Sequence, residues 1–147
     1  MKKGIMALVI MLTMGSISAF AGDEIVNEKV LNAFKQDFSN VMEVRWTECA
    51  DYYKAEFAFN NQQLSAFYNT SGELIGISRY LTSTDLPLNL LINLKKDYLQ
   101  YWITDLFEVG NKDGTSYYIT LEDADTKIML KASDGYNWTS WKKTKKS

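Results

Sequence analysis

The stretch Tyr52-Tyr53-Lys54-Ala55-Glu56-Phe57-Ala58-Phe59 decides how this chain is read. Tyr53, Ala55, Phe57 and Phe59 share one parity, and Lys54, Glu56 and Ala58 share the other. Side chains alternate faces along a strand, so the pattern predicts a β-strand with one face on a core and one mixed face. The same alternation recurs where Tyr117, Ile119 and Leu121 oppose Tyr118, Thr120 and Glu122. Further strands are predicted at residues 42–47, 64–68, 74–80, 103–109, 127–132 and 136–141. Asn60-Asn61, residues 69–72, 111–114, 123–125 and 133–135 supply the turns between them.

Two segments change period. Val26, Val30, Phe34 and Phe38 recur every four residues, which predicts an amphipathic helix. Asp85 and Pro87 form a helix start signal, after which Leu90, Leu91, Leu94, Tyr98 and Trp102 mark an apolar stripe. The second helix is the more apolar and is expected to be the more buried. Pairing Phe34 with Tyr98, Phe38 with Trp102 and Gly72 with Gly135 suggests that a helix and an antiparallel meander are written twice. The expected class is α+β: a tandem repeat of helix plus antiparallel β-meander, with one shared sheet and helices on one face. The repeats would span about 22–82 and 83–147, within a single domain.

The N-terminus carries its own signal. Lys2 and Lys3 precede an apolar run from Ile5 to Met14, and Ala19 and Ala21 fit the small-x-small pattern read by signal peptidase. Residues 1–21 read as a cleavable signal peptide with cleavage after Ala21. The apolar core is half the length that a spanning helix needs, and no later segment of the sequence is long and apolar enough to be an integral membrane span. Residues 22–147 would form a mature chain of 126 residues, with 14 basic against 18 acidic side chains and a net charge of −4. That balance argues against nucleic acid as a partner. Lys142, Lys143, Lys145 and Lys146 crowd the C-terminus and read as a solvated tail. The expected location is the periplasm or the exterior of a bacterium.

Much catalytic chemistry is missing. The chain has no His and one Cys, Cys49, so it lacks the commonest general base, a Cys–His pair and a zinc site of the usual kind. The glycines are scattered through turns and form no phosphate loop. Glu122, Asp123 and Asp125 read as a polar hairpin turn, without the Gly and terminal Glu of a calcium loop. No enzyme activity, cofactor or metal is expected. The positive signal is aromatic: four Trp, nine Tyr and seven Phe exceed what a small core absorbs. On the mixed sheet face the candidate binding residues are Phe67, Ile75, Ile77, Tyr118 and Met129. Trp138 and Trp141 are candidates near the C-terminus.

Several short motifs together resemble a known family. They are the signal peptide, residues 30–38 leading into Val44-Arg45-Trp46, residues 53–59, Tyr68 with Ser71-Gly72-Glu73-Leu74, Leu86-Pro87, and residues 117–138. The chain resembles the secreted PepSY-like, β-lactamase-inhibitor-like proteins of Bacteroidetes. The resemblance implies a tandem repeat with an open, concave sheet face, a surface that grips an enzyme in the β-lactamase-inhibitor fold. The disulfides of that inhibitor have no counterpart here. The expected function is an exported, non-catalytic, inhibitor-like interaction protein holding a protein or peptide of unknown identity. A periplasmic small-molecule or glycan-binding module is the alternative.

Overall fold

The computed structural model describes residues 19–21 and 26–146. Most of the expected signal peptide lies outside these residues. In chain order the elements are β1 (Ala19–Ala21), α1 (Glu28–Asp37), β2 (Val44–Glu48), β3 (Tyr52–Phe59), β4 (Gln62–Asn69) and β5 (Leu74–Tyr80). A 3-10 turn at Ser83–Asp85 follows. Then come α2 (Leu88–Asp97), β6 (Trp102–Asn111), β7 (Gly114–Glu122), β8 (Thr126–Ala132) and β9 (Thr139–Lys145). The chain divides into two compact units between Ile77 and Ser78, inside β5.

This architecture corrects the expected α+β tandem repeat of helix plus meander. The fold is mainly β: antiparallel strands, each beside its neighbour in sequence, with only two ten-residue α-helices among the described residues. The physical reason is how little each helix contributes to the core. Helix α1 buries Val30 and Phe34, and α2 buries Leu90 and Leu94. The strands supply most of the remaining core residues. The second helix is not the better buried of the two, since its Leu88 and Ile92 are exposed. Its stripe also stops early. Tyr98 caps the helix through its N–H to the Leu94 carbonyl, and Trp102 begins β6 instead.

In the first unit the strand order is β1-β2-β3-β4-β5. Asn27 starts α1, its side-chain oxygen accepting the Val30 N–H at 3.0 Å, while its amide nitrogen donates to the Thr70 carbonyl. Phe34 then sits among four rings: Phe38 at 5.3 Å, Trp46 at 5.3 Å, Phe57 at 5.0 Å and Tyr68 at 6.3 Å between centroids. Tyr53, Ala55 and Phe57 of β3 join this core, as their shared parity predicts. The Tyr68 hydroxyl donates to Asp37 Oδ2 at 2.9 Å, so the buried ring keeps its polar tip satisfied. Strands β3 and β4 are joined by Asn60-Asn61, both at positive φ (50° and 63°), in a two-residue hairpin between Phe59 and Gln62. Both central residues at positive φ are what the right-handed twist of the flanking strands demands, and Asn tolerates that region.

In the second unit the last residues of β5 precede the order β6-β7-β8-β9. Its own core joins Leu90 and Leu94 to Leu106, Ile119, Leu121, Ile128 and Leu130. Strand β9 runs from Thr139 to Lys145, later than the expected 136–141. The cause is local: Asp134 Oδ1 accepts the N–H groups of Tyr136 and Asn137, and these bonds hold residues 134–137 in a turn. Of the lysines expected in a solvated tail, Lys142, Lys143 and Lys145 lie in this strand with exposed side chains. Lys142 lies opposite Met129 and Lys143 opposite Ile128. Lys146 Nζ meets Glu122 at 3.1 Å and the Asp123 carbonyl at 2.7 Å.

Candidate functional site

The second unit carries a band of rings across successive strands on the sheet face away from α2. Phe107 of β6 lies opposite Tyr118 of β7, and Tyr118 lies opposite Lys131 of β8. Phe107 and Tyr118 stack with centroids 5.2 Å apart and planes 14° apart. Trp141 of β9 meets Tyr118 edge-on at 5.9 Å, and Tyr80 of β5 meets Phe107 edge-on at 6.2 Å. Lys131 Nζ sits 5.5 Å from the Tyr118 ring centre, a cation–π contact. Tyr118 is only 4% exposed and forms the floor of the band. Phe107, Trp141 and Lys131 are half-buried, and Tyr80 is 74% exposed.

A second row runs beside the first. Asp105 lies opposite Thr120, Thr120 opposite Met129, and Met129 opposite Lys142. Burial pushes the Asp105 carboxyl up from its ordinary value, with a backbone bond from Leu106 and the charge of Lys127 acting against it. Glu122 on the same face has its carboxyl held down by side-chain hydrogen bonds from Thr104 and Lys146. Lys127, Lys131 and Lys142 share this face with Asp105 and Glu122, three positive against two negative side chains beside the rings.

The structure brings Tyr118 and Trp141 into contact and sets Met129 in the adjoining row. Other candidates stand elsewhere. Phe67 is buried in the first unit, opposite Lys54 and 6.0 Å from the Tyr52 ring. Ile75 is half-buried in β5, and Ile77 packs against the core beneath α1. Trp138 packs against the core beneath α2 and donates its indole N–H to the Leu90 carbonyl at 3.0 Å. Phe107, Tyr80 and Lys131 were not among the expected residues. The register of β6 shifts between Ile103 and Asp105, and no sequence pattern marks that irregularity. Leu106 and Phe107 point to opposite faces, but both are apolar, so alternation alone does not say which of them meets the core.

Reactive groups are subdued. Burial pushes the Cys49 thiol up, against a side-chain hydrogen bond with Tyr52 and the charge of Lys54 that lower it, so the thiolate is disfavoured. The Asp123 carboxylate accepts the N–H groups of Asp125 and Thr126 and the Thr126 hydroxyl, as a turn-forming side chain does. Among the described residues, no cluster of His, Cys, Asp and Glu is placed to hold a metal, and no helix is long and apolar enough to cross a membrane.

Solved structures share this fold. A BLIP-like protein of Bacteroides fragilis superposes with a TM-score of 0.69 at 17% identity, over 82% of this chain and 86% of that one. A DUF2874 family protein of Bacteroides ovatus gives 0.72 at 18% identity, over 82% and 87%. A candidate periplasmic protein of Bacteroides eggerthii gives 0.70 at 13% identity, over 82% and 88%. The chain has the fold of BLIP-like and DUF2874 proteins of Bacteroides. The sequence matches no family model and no curated relative.

Proposed function

We propose that the protein is exported, is cleaved after Ala21, and works without chemistry as a binding module. Its partner would be a protein or peptide segment with acidic side chains, held on the sheet face of the second unit. The observation that carries this reading is the band Tyr80–Phe107–Tyr118–Trp141 with Lys131 set against it. Rigid rings give large contact area at low entropic cost, and neighbouring lysines select the sign of the partner. The BLIP-like and periplasmic neighbours favour the same reading of an exported, β-lactamase-inhibitor-like binding protein. Enzyme inhibition is its narrow form, and direct assay against β-lactamases tests that form.

The general form is tested by cross-linking the exported protein in its own envelope extract. The Trp141→Ala/Lys131→Glu variant should lose the cross-linked partner while keeping the far-ultraviolet dichroism of the parent. A folded double variant that captures the same partner equally well overturns the assignment of this face. Binding of a glycan stands second, on the 74% exposed ring of Tyr80 beside Phe107. Unretarded migration in affinity gels made with cell-wall and dietary glycans would remove it.

A further inference from the structure

Strand β1 covers only part of the outer edge of β2. Ala19, Phe20 and Ala21 pair with Thr47, Trp46 and Arg45, whereas β3 pairs with all five residues from Val44 to Glu48. In an antiparallel ladder each residue turns both backbone groups toward one neighbour, and successive residues alternate. The Cys49 N–H bonds to the Tyr52 carbonyl, so residues 45, 47 and 49 face β3. Val44, Trp46 and Glu48 therefore present their N–H and C=O groups to the outer edge.

The two faces flanking this edge differ. Trp46 belongs to the core beneath α1, so a residue paired with it lies on that side. There a groove of about 1040 Å³ has Leu31, Phe38, Val41 and Val44 among its walls, with Lys35, Glu43, Arg45 and Glu56 also lining it. The Arg45 side chain, exposed and cross-strand from Glu56 of β3, alternates to the opposite face. Each position along an added strand thus meets a different chemistry.

We propose that the outer edge of β2 is a strand-acceptor site. It takes an extended segment of a partner polypeptide, with an apolar residue opposite Trp46 and an acidic residue opposite Arg45. This goes beyond the sheet-face reading and rests on processing after Ala21. Cleavage there detaches the residues that cover the edge and leaves a row of unpaired backbone groups in the mature chain. An open edge of this kind is a template for strand addition: main-chain bonds give affinity and alternate side chains give selectivity. The occupancy by residues 19–21 is the direct sign that an extended segment fits the edge in antiparallel register.

The test uses the protein recovered from the envelope of its producing cell after export with its own leader. Intact mass identifies the first residue, and residue-resolved amide exchange follows with and without a synthetic peptide of residues 17–22. A chain starting at Gly22 is expected. The peptide should slow exchange at Val44, Trp46 and Glu48 several-fold and leave Arg45 and Thr47 unchanged. A peptide carrying Ala21→Glu should bind more tightly, and one carrying Phe20→Pro, which lacks the central donor, should have no effect. A Gly22 chain whose three amides ignore the peptide, or respond equally to the proline peptide, overturns the acceptor site. Protection of those amides that rises with protein concentration alone assigns the edge to a second copy and overturns the partner. A mass that includes residues 19–21 overturns the processing reading instead, before any peptide is added.

Discussion

Replacing Gly72 by Ala should weaken the first unit more than Gly114→Ala weakens the second. Both glycines have positive φ, 86° and 127°, where an L side chain costs about 1–2 kcal/mol. Their surroundings separate them. A Cβ on Gly72 would lie 2.8 Å from the Lys29 carbonyl oxygen and 3.1 Å from its carbon, whereas one on Gly114 would have nothing within 4 Å. Lys29 lies in the first turn of α1, beside the Asn27 cap, and Asn27 also reaches the Thr70 carbonyl in the turn that holds Gly72. Relieving the clash means moving that turn off the helix, which opens the Asn27–Thr70 bond and frees the capping side chain to move. A lost N-cap costs about 1 kcal/mol. The expected destabilisation is about 2–4 kcal/mol for Gly72→Ala and about 1–2 kcal/mol for Gly114→Ala. Amide exchange in urea measures this unit by unit, with Val30 reporting the cap directly. Equal losses at the two sites, or a Gly72→Ala chain with full protection at Val30, would refute the reasoning.

Three further outcomes follow from buried polar tips. Tyr68→Phe keeps the ring but removes the bond to Asp37, and should cost about 1–2 kcal/mol in urea titration. Burial raises the Tyr68 and Tyr52 hydroxyls above their ordinary value, with hydrogen bonds to Asp37 and Cys49 adding to it. The unfolded chain then releases these protons first, so stability should hold up to about pH 10 and fall as pH rises further. The Tyr52→Phe/Tyr68→Phe chain should show a shallower alkaline decline in the same titration. Trp138→Phe leaves the Leu90 carbonyl without its indole donor, and should lower stability by about 1 kcal/mol, read as faster amide exchange in the loop 133–138.

Much of the local structure was legible because it follows from short-range physics. Residues 52–59 and 74–80 form strands over the spans that their alternation and flanking turns predict. Asn60-Asn61 makes the expected tight hairpin, since few other pairs tolerate two positive φ values. The fold class was not legible, because period shows where helices lie and not how little of the core they fill. Only Leu90 and Leu94 of the α2 stripe are buried within the helix, and its other apolar residues Leu88 and Ile92 are exposed. The start of β9 was lost to one side chain, Asp134, whose two bonds to main-chain N–H groups outweigh the strand tendency of Tyr136 and Trp138. In the candidate site, alternation placed Tyr118 on the face away from Ile119 and Leu121, where it lies, while adjacent apolar Leu106 and Phe107 left the faces of β6 unassigned. Strand β1 was hidden for another reason: Ala19 and Ala21 read as a protease site, and small residues carry little strand signal.

The placement of Trp46 gives the first unit a built-in optical label. Trp102, Trp138 and Trp141 all fall in the second unit, and Trp46 alone falls in the first. It is 1% exposed, with the Tyr68 ring centre 6.5 Å away as an energy-transfer donor. A chain with the other three indoles replaced by phenylalanine would emit from one native fluorophore, and its spectral maximum would report that core alone. Because Trp46 also lies on β2, the same emission would register a strand arriving at its edge without any attached dye.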